Sequence, residues 1–331
     1  MNLSSIWKKI RNWFRKLFED EDAVVPTPTP DPAPTGTLLG VEFVDPLNKY
    51  VEGMPTIPLA KLSEVGINSV RVHPRGARTC NNPYRHPFWY LGTGKYDLDQ
   101  WDDEYWRLLK LFVCDCGFYG IDVAYELLNQ SEFKGAYESK FWCPWYALNN
   151  INGYVKSSGY TDIGDGIFTT KDPIVSKMRE YVDKVVAEIG GYPNVIIHTC
   201  NEPQGGDQVG WHTAIVTYLR KVKQWNGKIC VNFRSENLSK TDKSILSLDI
   251  NQAEYHTTDI GKAEKFIVAV KKQAPVVMPI ITTDTGQDLS QATLRALAKF
   301  CLQEKAGFRY WRHTDDATTV WDYIKVLGEL G

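Results

Sequence analysis

Residues 195–203 read Val-Ile-Ile-His-Thr-Cys-Asn-Glu-Pro, an apolar run that ends on an Asn-Glu-Pro triplet. A short apolar run of this kind is typical of a strand that is buried on both faces. The triplet puts the carboxylate of Glu202 at the carboxyl end of that strand. A second run, Val-Val-Met-Pro-Ile-Ile-Thr-Thr-Asp-Thr-Gly at 276–286, ends in the same way on Asp284. The sequence therefore predicts two carboxylates at the ends of two buried strands.

From residue 37 onward, short β-rich runs alternate with helical patterns. The predicted strands are 37–44, 67–73, 120–126, 194–201, 228–233, 252–257, 277–283 and 307–312. The predicted helices are 56–65, 98–117, 173–190, 210–225, 261–273, 290–305 and 318–330. The connection after the fifth strand has the least defined pattern. Eight β/α units fit a (β/α)8 TIM barrel, whose usual size is roughly 250 residues plus insertions. Because these barrels carry their chemistry at the carboxyl ends of the strands, we expect Glu202 and Asp284 on one rim.

The first 36 residues differ from this pattern. In residues 1–22, apolar side chains recur at helical spacing and basic side chains occupy the remaining face, which predicts a basic amphipathic helix. Such a helix can dock onto a protein assembly, lie on an anionic membrane surface or fold back onto the barrel. Residues 23–36 alternate proline with threonine and other small residues, which predicts a semi-rigid linker. The predicted order is an anchoring helix, a Pro/Thr-rich linker and a catalytic domain at 37–331.

The composition is that of a soluble enzyme with one large core. Of the 331 residues, 43% are hydrophobic and 24% are charged. The formal net charge of -2 predicts no nucleic-acid partner. Aromatic residues make up 12% of the chain, with 11 Trp and 17 Tyr, which indicates that some of them cover a binding surface. Sugar rings have apolar faces that stack on such side chains.

Cysteine and hydropathy patterns limit the possible cofactors and locations. The seven cysteines are scattered without disulfide or zinc spacing, which favours a reducing compartment. Because His, Cys and Asp show no ligand spacing, we expect no metal or organic cofactor. No apolar run approaches the roughly 18 residues of a membrane helix, and no segment has the pattern of a secretory signal peptide. The location stays open, and tethering to a surface or particle through residues 1–22 is one possibility.

Five landmarks in the predicted barrel occur in a characteristic order. They are Val70-Arg71-Val72 on strand two, Asn201-Glu202-Pro203 after strand four, His256 at strand six, an acidic residue followed by x-Gly after strand seven, and Trp311 on strand eight. In this order they resemble the cellulase-like retaining glycoside hydrolases of family 5, within the wider clan of (β/α)8 glycosidases. The Asn-Glu-Pro triplet is the most specific of the five.

The resemblance implies a role for each landmark. Glu202 would be the general acid/base, which needs a carboxyl whose pKa is raised by an apolar setting. Asn201 would hydrogen-bond the 2-hydroxyl of the sugar. Asp284 would be the nucleophile, and Arg71 would lie beneath it and keep it ionised. Trp311 would form a platform under the sugar, although it could also fill the barrel.

Asp284 departs from the family pattern, in which the nucleophile is glutamate. Aspartate is shorter by one methylene, about 1.5 Å. Retaining enzymes hold their two carboxyls roughly 5–5.5 Å apart, and inverting enzymes hold them roughly 6.5–9.5 Å apart to admit a water molecule. Three outcomes follow in order of preference: a backbone shift restores retention, the enzyme inverts, or the site binds sugar without cleaving it. Glu254 shares a strand face with His256 and is a possible alternative carboxylate.

Three further residues are expected to bind substrate. His73 could line the barrel mouth, and His256 matches a family landmark. The family has a tyrosine two residues beyond that histidine, where this chain has Thr258, so Tyr255 is the nearest substitute. His198 lies within its strand and is expected to be a satisfied core histidine.

The sequence thus predicts a glycoside hydrolase that cleaves a β-linked polysaccharide or glycan, with endo-action favoured by long aromatic rim loops. The main alternative is a glycan-binding barrel without catalysis in a tethered surface or virion structural protein. Asp284-Thr285-Gly286 also occurs in aspartic proteases. That chemistry needs two such aspartates, and this chain has one copy of the motif.

Overall fold

The computed structural model describes residues 38–44, 50–51, 54–55, 59–74, 86–92, 94–128, 144–145, 149–154, 173–201, 208–285 and 290–312. The predicted anchoring helix (1–22), the linker (23–36) and the predicted helix at 318–330 lie outside these residues. Glu202 also lies outside them.

Eight parallel strands close into a barrel in chain order, which confirms the (β/α)8 TIM barrel. The barrel strands are β1 (Leu39–Val44), β4 (Ser69–His73), β7 (Asp122–Glu126), β8 (Val195–His198), β9 (Lys228–Phe233), β10 (Gln252–His256), β11 (Met278–Thr285) and β12 (Gly307–Arg312). All eight strand predictions are confirmed, with ends that differ by at most three residues. These runs were recognisable because parallel barrel strands are buried on both faces and read as nearly continuous apolar segments.

Helices follow most of the barrel strands. They are α1 (Leu59–Glu64), α2 (Asp103–Phe118), α3 (Pro173–Ile189), α4 (Gln208–Thr217), α5 (Lys240–Leu246), α6 (Ile260–Gln273) and α7 (Gln291–Gln303). A π-helical turn, Tyr218–Val222, continues α4. None of the helices within the described ranges combines the length and the apolar character that crossing a membrane requires.

Two pairs of short antiparallel strands lie outside the barrel. One pair is β2 (Tyr50–Val51) with β3 (Met54–Pro55), and the other is β5 (Phe88–Gly92) with β6 (Lys95–Trp101). The second hairpin corrects the prediction of a helix over 98–117, because residues 98–101 belong to β6. The helix begins after Asp102, whose side chain accepts hydrogen bonds from the backbone N–H groups of Glu104 and Tyr105.

Helix α5 fills the connection for which no helix was predicted. Ser239 accepts a hydrogen bond from the backbone of Asp242, and the Asp242 side chain accepts one from the backbone of Ser239. This capping box compensates for the short length of the helix, which is seven residues. The Ser-x-x-Asp spacing was the sequence signal that could have identified it.

One layer of the barrel interior is apolar. The barrel floor consists of Leu38, Ala124, Ile196, Cys230 and Ile280, all buried. A larger apolar core lies between the outer faces of the strands and the surrounding helices. The polar side chains toward the carboxyl ends of the strands therefore lie above this apolar layer.

Gly307 tests how tightly the barrel floor is packed. A Cβ atom at this position would lie 2.9 Å from Cγ1 of Ile280 and 3.3 Å from Cβ of Leu38. We expect Gly307→Ala to lower the free energy of unfolding by about 1–3 kcal/mol, the usual cost of overpacking. Gly191→Ala is the control, since a Cβ there meets no atom within 4 Å. Urea unfolding of both variants measures the difference, and equal costs would contradict the packing argument.

Candidate active site

Charged and polar side chains fill the barrel interior above the floor. We call this set the interior polar cluster: Arg71, His73, Glu126, His198, Asn201, Asn232, Glu254, His256 and Arg309. Most of these residues are fully buried, and His256 is 12% exposed. They meet because alternate residues of each barrel strand face the interior. Buried charges of this kind must be paired to be tolerated.

The guanidinium of Arg71 is the centre of the interior polar cluster. Its Nη1 donates to Oε1 of Glu254 at 2.7 Å, and its Nη2 donates to Oε2 of Glu126 at 2.7 Å. Nη2 also donates to Oδ1 of Asn201 at 2.5 Å. One side chain from β4 therefore joins β7, β10 and the end of β8. The planar fork of arginine suits such multiple contacts better than the single point of a lysine would.

Glu254 is held between two arginines. Its Oε1 accepts from Arg71 and lies 2.8 Å from Nε2 of His256, while Asn232 donates to the same oxygen at 3.3 Å. Its Oε2 forms an ion pair with Arg309. Burial alone raises the pKa of this carboxyl, but Arg71 and Arg309 outweigh burial and hold the pKa well below its usual value. A carboxylate with both oxygens engaged is suited to fixing cations, whereas a nucleophile needs a lone pair that faces the substrate.

Glu126 is the second buried carboxylate, and the sequence reasoning did not identify its role. Its Oε2 contacts both Arg71 and Nδ1 of His73. Burial raises its pKa, but His73 and Arg71 reverse the effect and lower it to about 2. Glu126 ends β7, so the strand-end rule that identified Glu202 would also have found it.

Arg309 was missed as well. It lies on β12 two residues before Trp311 and forms an ion pair with Glu254. A charged residue inside an otherwise buried strand was the available signal. Gly40 leaves room for the Arg309 side chain. A Cβ at position 40 would lie 3.3 Å from Cγ of Arg309, which is a crowded contact.

His198 is buried, as expected, but it is not satisfied by hydrogen bonds. Neither ring nitrogen has a hydrogen-bond partner among the described residues. Its Nε2 lies 3.6 Å from Oε1 of Glu254. Burial and the nearby charge of Arg71 lower its pKa to about 4, so the ring is neutral near neutral pH.

His198, Cys230 and Glu254 have ligand atoms within 4.8 Å of one another, a spacing that a metal ion could use. Two observations argue against such a site. Arg71 and Arg309 already neutralise Glu254, so a dication would stand beside two guanidiniums. Burial, followed by the charge of Glu254, raises the pKa of the Cys230 thiol, which disfavours the thiolate that metals require. The group therefore fits a buried polar interior better than a metal centre.

The predicted site residues are brought together only in part. Arg71, His73, Asn201 and His256 lie in one contact network with Glu254. Tyr255 does not join them, because strand alternation turns it toward the helices. Its ring packs on Phe266 at 5.2 Å, and its hydroxyl donates to Glu236 at 3.0 Å.

The two predicted catalytic carboxylates are located less completely. The backbone of Asp284 lies in β11 beside that of Trp311 in β12, two residues after the pairing of Thr282 with Arg309. The side chains of Asp284 and Trp311 lie outside the described part of the chain. Thr282 also pairs with His256, so Asp284 follows directly above the interior polar cluster along its strand.

Comparison with known proteins supports the fold. No protein-family model matches the chain, and no curated protein matches it in sequence. Solved structures do match. A glycoside hydrolase family 5 mannosidase from Rhizomucor miehei has 13% identity and a TM-score of 0.54, over 83% of this chain and 81% of that chain. An endo-β-1,4-glucanase from Xanthomonas axonopodis pv. citri has 12% identity and a TM-score of 0.54, over 89% and 98%. At these identities the likeness concerns the fold.

Neutralising Glu254 is expected to destabilise the barrel. Glu254→Gln keeps the size of the side chain but leaves Arg71 and Arg309 without their shared anion. Breaking a buried ion pair in this way costs about 3–5 kcal/mol. Glu264→Gln, on the exposed face of α6, serves as the control and is expected to change little. Chemical unfolding measures both, and a cost below about 1 kcal/mol for Glu254→Gln would contradict this assignment.

Three buried histidines predict that the protein loses stability in mild acid. Burial lowers the pKa of His86 and His212 to about 3, and burial with Arg71 lowers that of His198 to about 4. The unfolded chain binds these protons near pH 6.5 and the folded chain does not, so stability is complete above pH 6.5 and falls as the pH decreases toward 4. Each histidine costs on the order of 2 kcal/mol between pH 7 and pH 5.

Urea unfolding across this pH range measures the effect. His86→Gln removes one of these three histidines and should make the pH dependence shallower. A wild-type stability that is constant from pH 7 to pH 5 would contradict the prediction.

Proposed function

We propose that this protein is a glycoside hydrolase that cleaves a β-linked polysaccharide or glycan, with endo-action. Glu202 acts as the general acid/base and Asp284 as the nucleophile. The observation that carries the proposal is the bond between Arg71 and Asn201 at the carboxyl end of β8. It fixes the residue next to Glu202 on the rim where (β/α)8 barrels carry their chemistry.

The same bond orients Asn201 for sugar binding. A guanidinium only donates hydrogen bonds, so the atom of Asn201 that meets Arg71 must be the amide oxygen. The amide nitrogen is then left to donate to a substrate. In the proposed function it donates to the sugar 2-hydroxyl, a contact that strengthens as positive charge develops at the anomeric carbon. The backbone N–H of Asn201 donates to the carbonyl of Leu128 at 2.9 Å, which also fixes the strand end.

The proposed reaction follows the retaining course. Glu202, protonated in the resting enzyme, gives its proton to the glycosidic oxygen while the Asp284 carboxylate attacks the anomeric carbon. The leaving sugar departs with that proton and a glycosyl ester forms on Asp284. Glu202 then takes a proton from water, which hydrolyses the ester and restores both carboxyls. His73, His256 and Trp311 are assigned to substrate binding around this centre.

The shared fold adds weaker support. The matching structures are described as a mannosidase and an endo-β-1,4-glucanase, so soluble β-mannan and β-1,4-glucan are the first substrates to test. We also infer that the predicted helix at 1–22 anchors the barrel to a protein assembly or membrane surface through the 23–36 linker.

One sequence feature favours a second candidate, a barrel that binds glycans without cleaving them. Asp284 is one methylene shorter than the glutamate that retaining family 5 enzymes use. A carboxylate that falls short of the anomeric carbon leaves a sugar-binding cleft intact while it prevents turnover. Such a barrel suits a tethered surface or virion structural protein.

Hydrolysis assays on β-mannan, β-1,4-glucan and host-type glycans test the proposal. We expect Glu202→Gln to lower kcat by about 10²–10⁴-fold, the usual contribution of a positioned acid or base. Asp284→Asn should lower kcat at least as far, because the amide cannot form the glycosyl ester. Glu264→Gln, on the exposed face of α6, should keep wild-type activity.

The outcomes separate the candidates. Wild-type turnover that survives Glu202→Gln would remove Glu202 from the mechanism. Glycan binding with no turnover would favour the non-catalytic barrel, and neither binding nor turnover would overturn both candidates. The anomer of the freshly formed product, read by proton NMR, distinguishes attack by Asp284 from attack by water.

A further inference from the structure

Helix α4 contacts the catalytic strand end from the outside of the barrel. His212 is completely buried, with Nδ1 2.8 Å from Oγ1 of Thr199 and Nε2 3.0 Å from the carbonyl oxygen of Asn232. The neighbouring Trp211 donates from Nε1 to the carbonyl of Thr199 at 3.4 Å. Two consecutive side chains of α4 therefore hold Thr199, one at its hydroxyl and one at its backbone.

The hydrogen-bond partners define the state of the His212 ring. A backbone carbonyl only accepts, so Nε2 carries the hydrogen and donates to Asn232. Nδ1 is then an acceptor, and the Thr199 hydroxyl donates to it. Burial and the nearby His198 lower the pKa of His212 to about 3, so the ring stays neutral. Only the neutral ring offers one donor and one acceptor, which is what these two partners require.

His212 thereby links two strand ends that carry polar cluster residues. Thr199 stands two residues before Asn201 and three before Glu202. Asn232 uses its side chain to donate to Glu254 while its backbone accepts from His212. Arg71 holds Asn201 from inside the barrel, and His212 holds the same strand end from the helix side.

We propose that His212 is a positioning residue: through Thr199 it sets the place of Asn201, the residue before Glu202, relative to Arg71. This inference rests on the proposed hydrolase function. A residue in this place does not touch the substrate and affects the rate only through the positions of the groups that do. Misplacement of a reacting group by about 1 Å can cost roughly 10²-fold in rate. The expected signature is a loss in kcat with KM nearly unchanged.

Two conservative variants separate the two bonds of the imidazole. His212→Asn places an amide near the position of Nδ1 and can keep the bond to Thr199. His212→Gln reaches the position of Nε2 and can keep the bond to Asn232. Thr199→Val removes the hydroxyl at nearly constant size. Ile215→Val, a fully buried change on the same helix, is the control for general loosening of α4.

We expect His212→Gln and Thr199→Val to lower kcat by about 10–100-fold, His212→Asn to keep a larger share of kcat, and KM to stay within about twofold. Ile215→Val should keep wild-type kcat. Equal losses for the Asn and Gln variants, or a change in KM alone, would overturn the inference. So would a control that loses as much kcat as Thr199→Val.

Hydrogen exchange gives a readout that does not need activity. The backbone N–H of Asn201 is protected from exchange by its hydrogen bond to the carbonyl of Leu128. His212→Gln and Thr199→Val should speed its exchange at least tenfold relative to Ile215→Val. If the wild type cleaves no substrate, the proposed function fails and exchange alone decides the positioning role. Unchanged exchange at Asn201 would overturn that role.

Discussion

The arrangement of the barrel interior depends on the buried guanidinium of Arg71. This side chain is completely buried. A buried charge is tolerated only when hydrogen-bond acceptors of opposite or partial negative charge surround it. Glu126, Glu254 and Asn201 supply these acceptors from three other strands or strand ends. The relative positions of β4, β7, β8 and β10 are thus coupled to one side chain. A shift of one strand along its axis would leave a buried charge without its partner. The ion pairs therefore favour a single strand register, where apolar packing alone would permit several.

The charge balance explains why the interior can be both polar and closed. Two arginines, Arg71 and Arg309, face two carboxylates, Glu126 and Glu254, and the nearby His198 is neutral. The apolar barrel floor lies beneath them. The lowered pKa values of Glu126 and Glu254 show that each carboxylate gains more from its partners than it loses by burial. The interior is therefore a network of paired charges beneath the rim.

The sequence predicted the parts of this fold that depend on local pattern. Buried parallel strands leave long apolar runs, and Pro173 at the start of α3 marks a helix N-terminus, so these elements were found. The β5–β6 hairpin was not, because residues 98–101 fit the spacing of the helix that follows and the aromatic residues before them fit a rim loop equally well. The partners of Arg71 could not be predicted either, since Glu126 and Glu254 lie 55 and 183 residues away and only barrel closure brings them near. The assignment of Tyr255 to substrate binding rested on its closeness in sequence to His256. Adjacent residues of a strand point to opposite faces, so Tyr255 faces the helices when His256 faces the barrel interior.

The ion pairs of Arg71 change the explanation of why one catalytic carboxyl would be protonated and the other ionised. The family resemblance assigned Arg71 to keep Asp284 ionised, but its charge is already balanced by buried carboxylates. In the proposed site, Glu202 and Asp284 would therefore face each other above arginines that are already paired. Two carboxyls in that position repel when both are ionised, which raises the pKa of one of them. A raised pKa is what a general acid needs near neutral pH. Glu202 would then owe its proton to the proximity of Asp284, so replacing Asp284 by Asn should lower the pKa of Glu202 as well as remove the nucleophile.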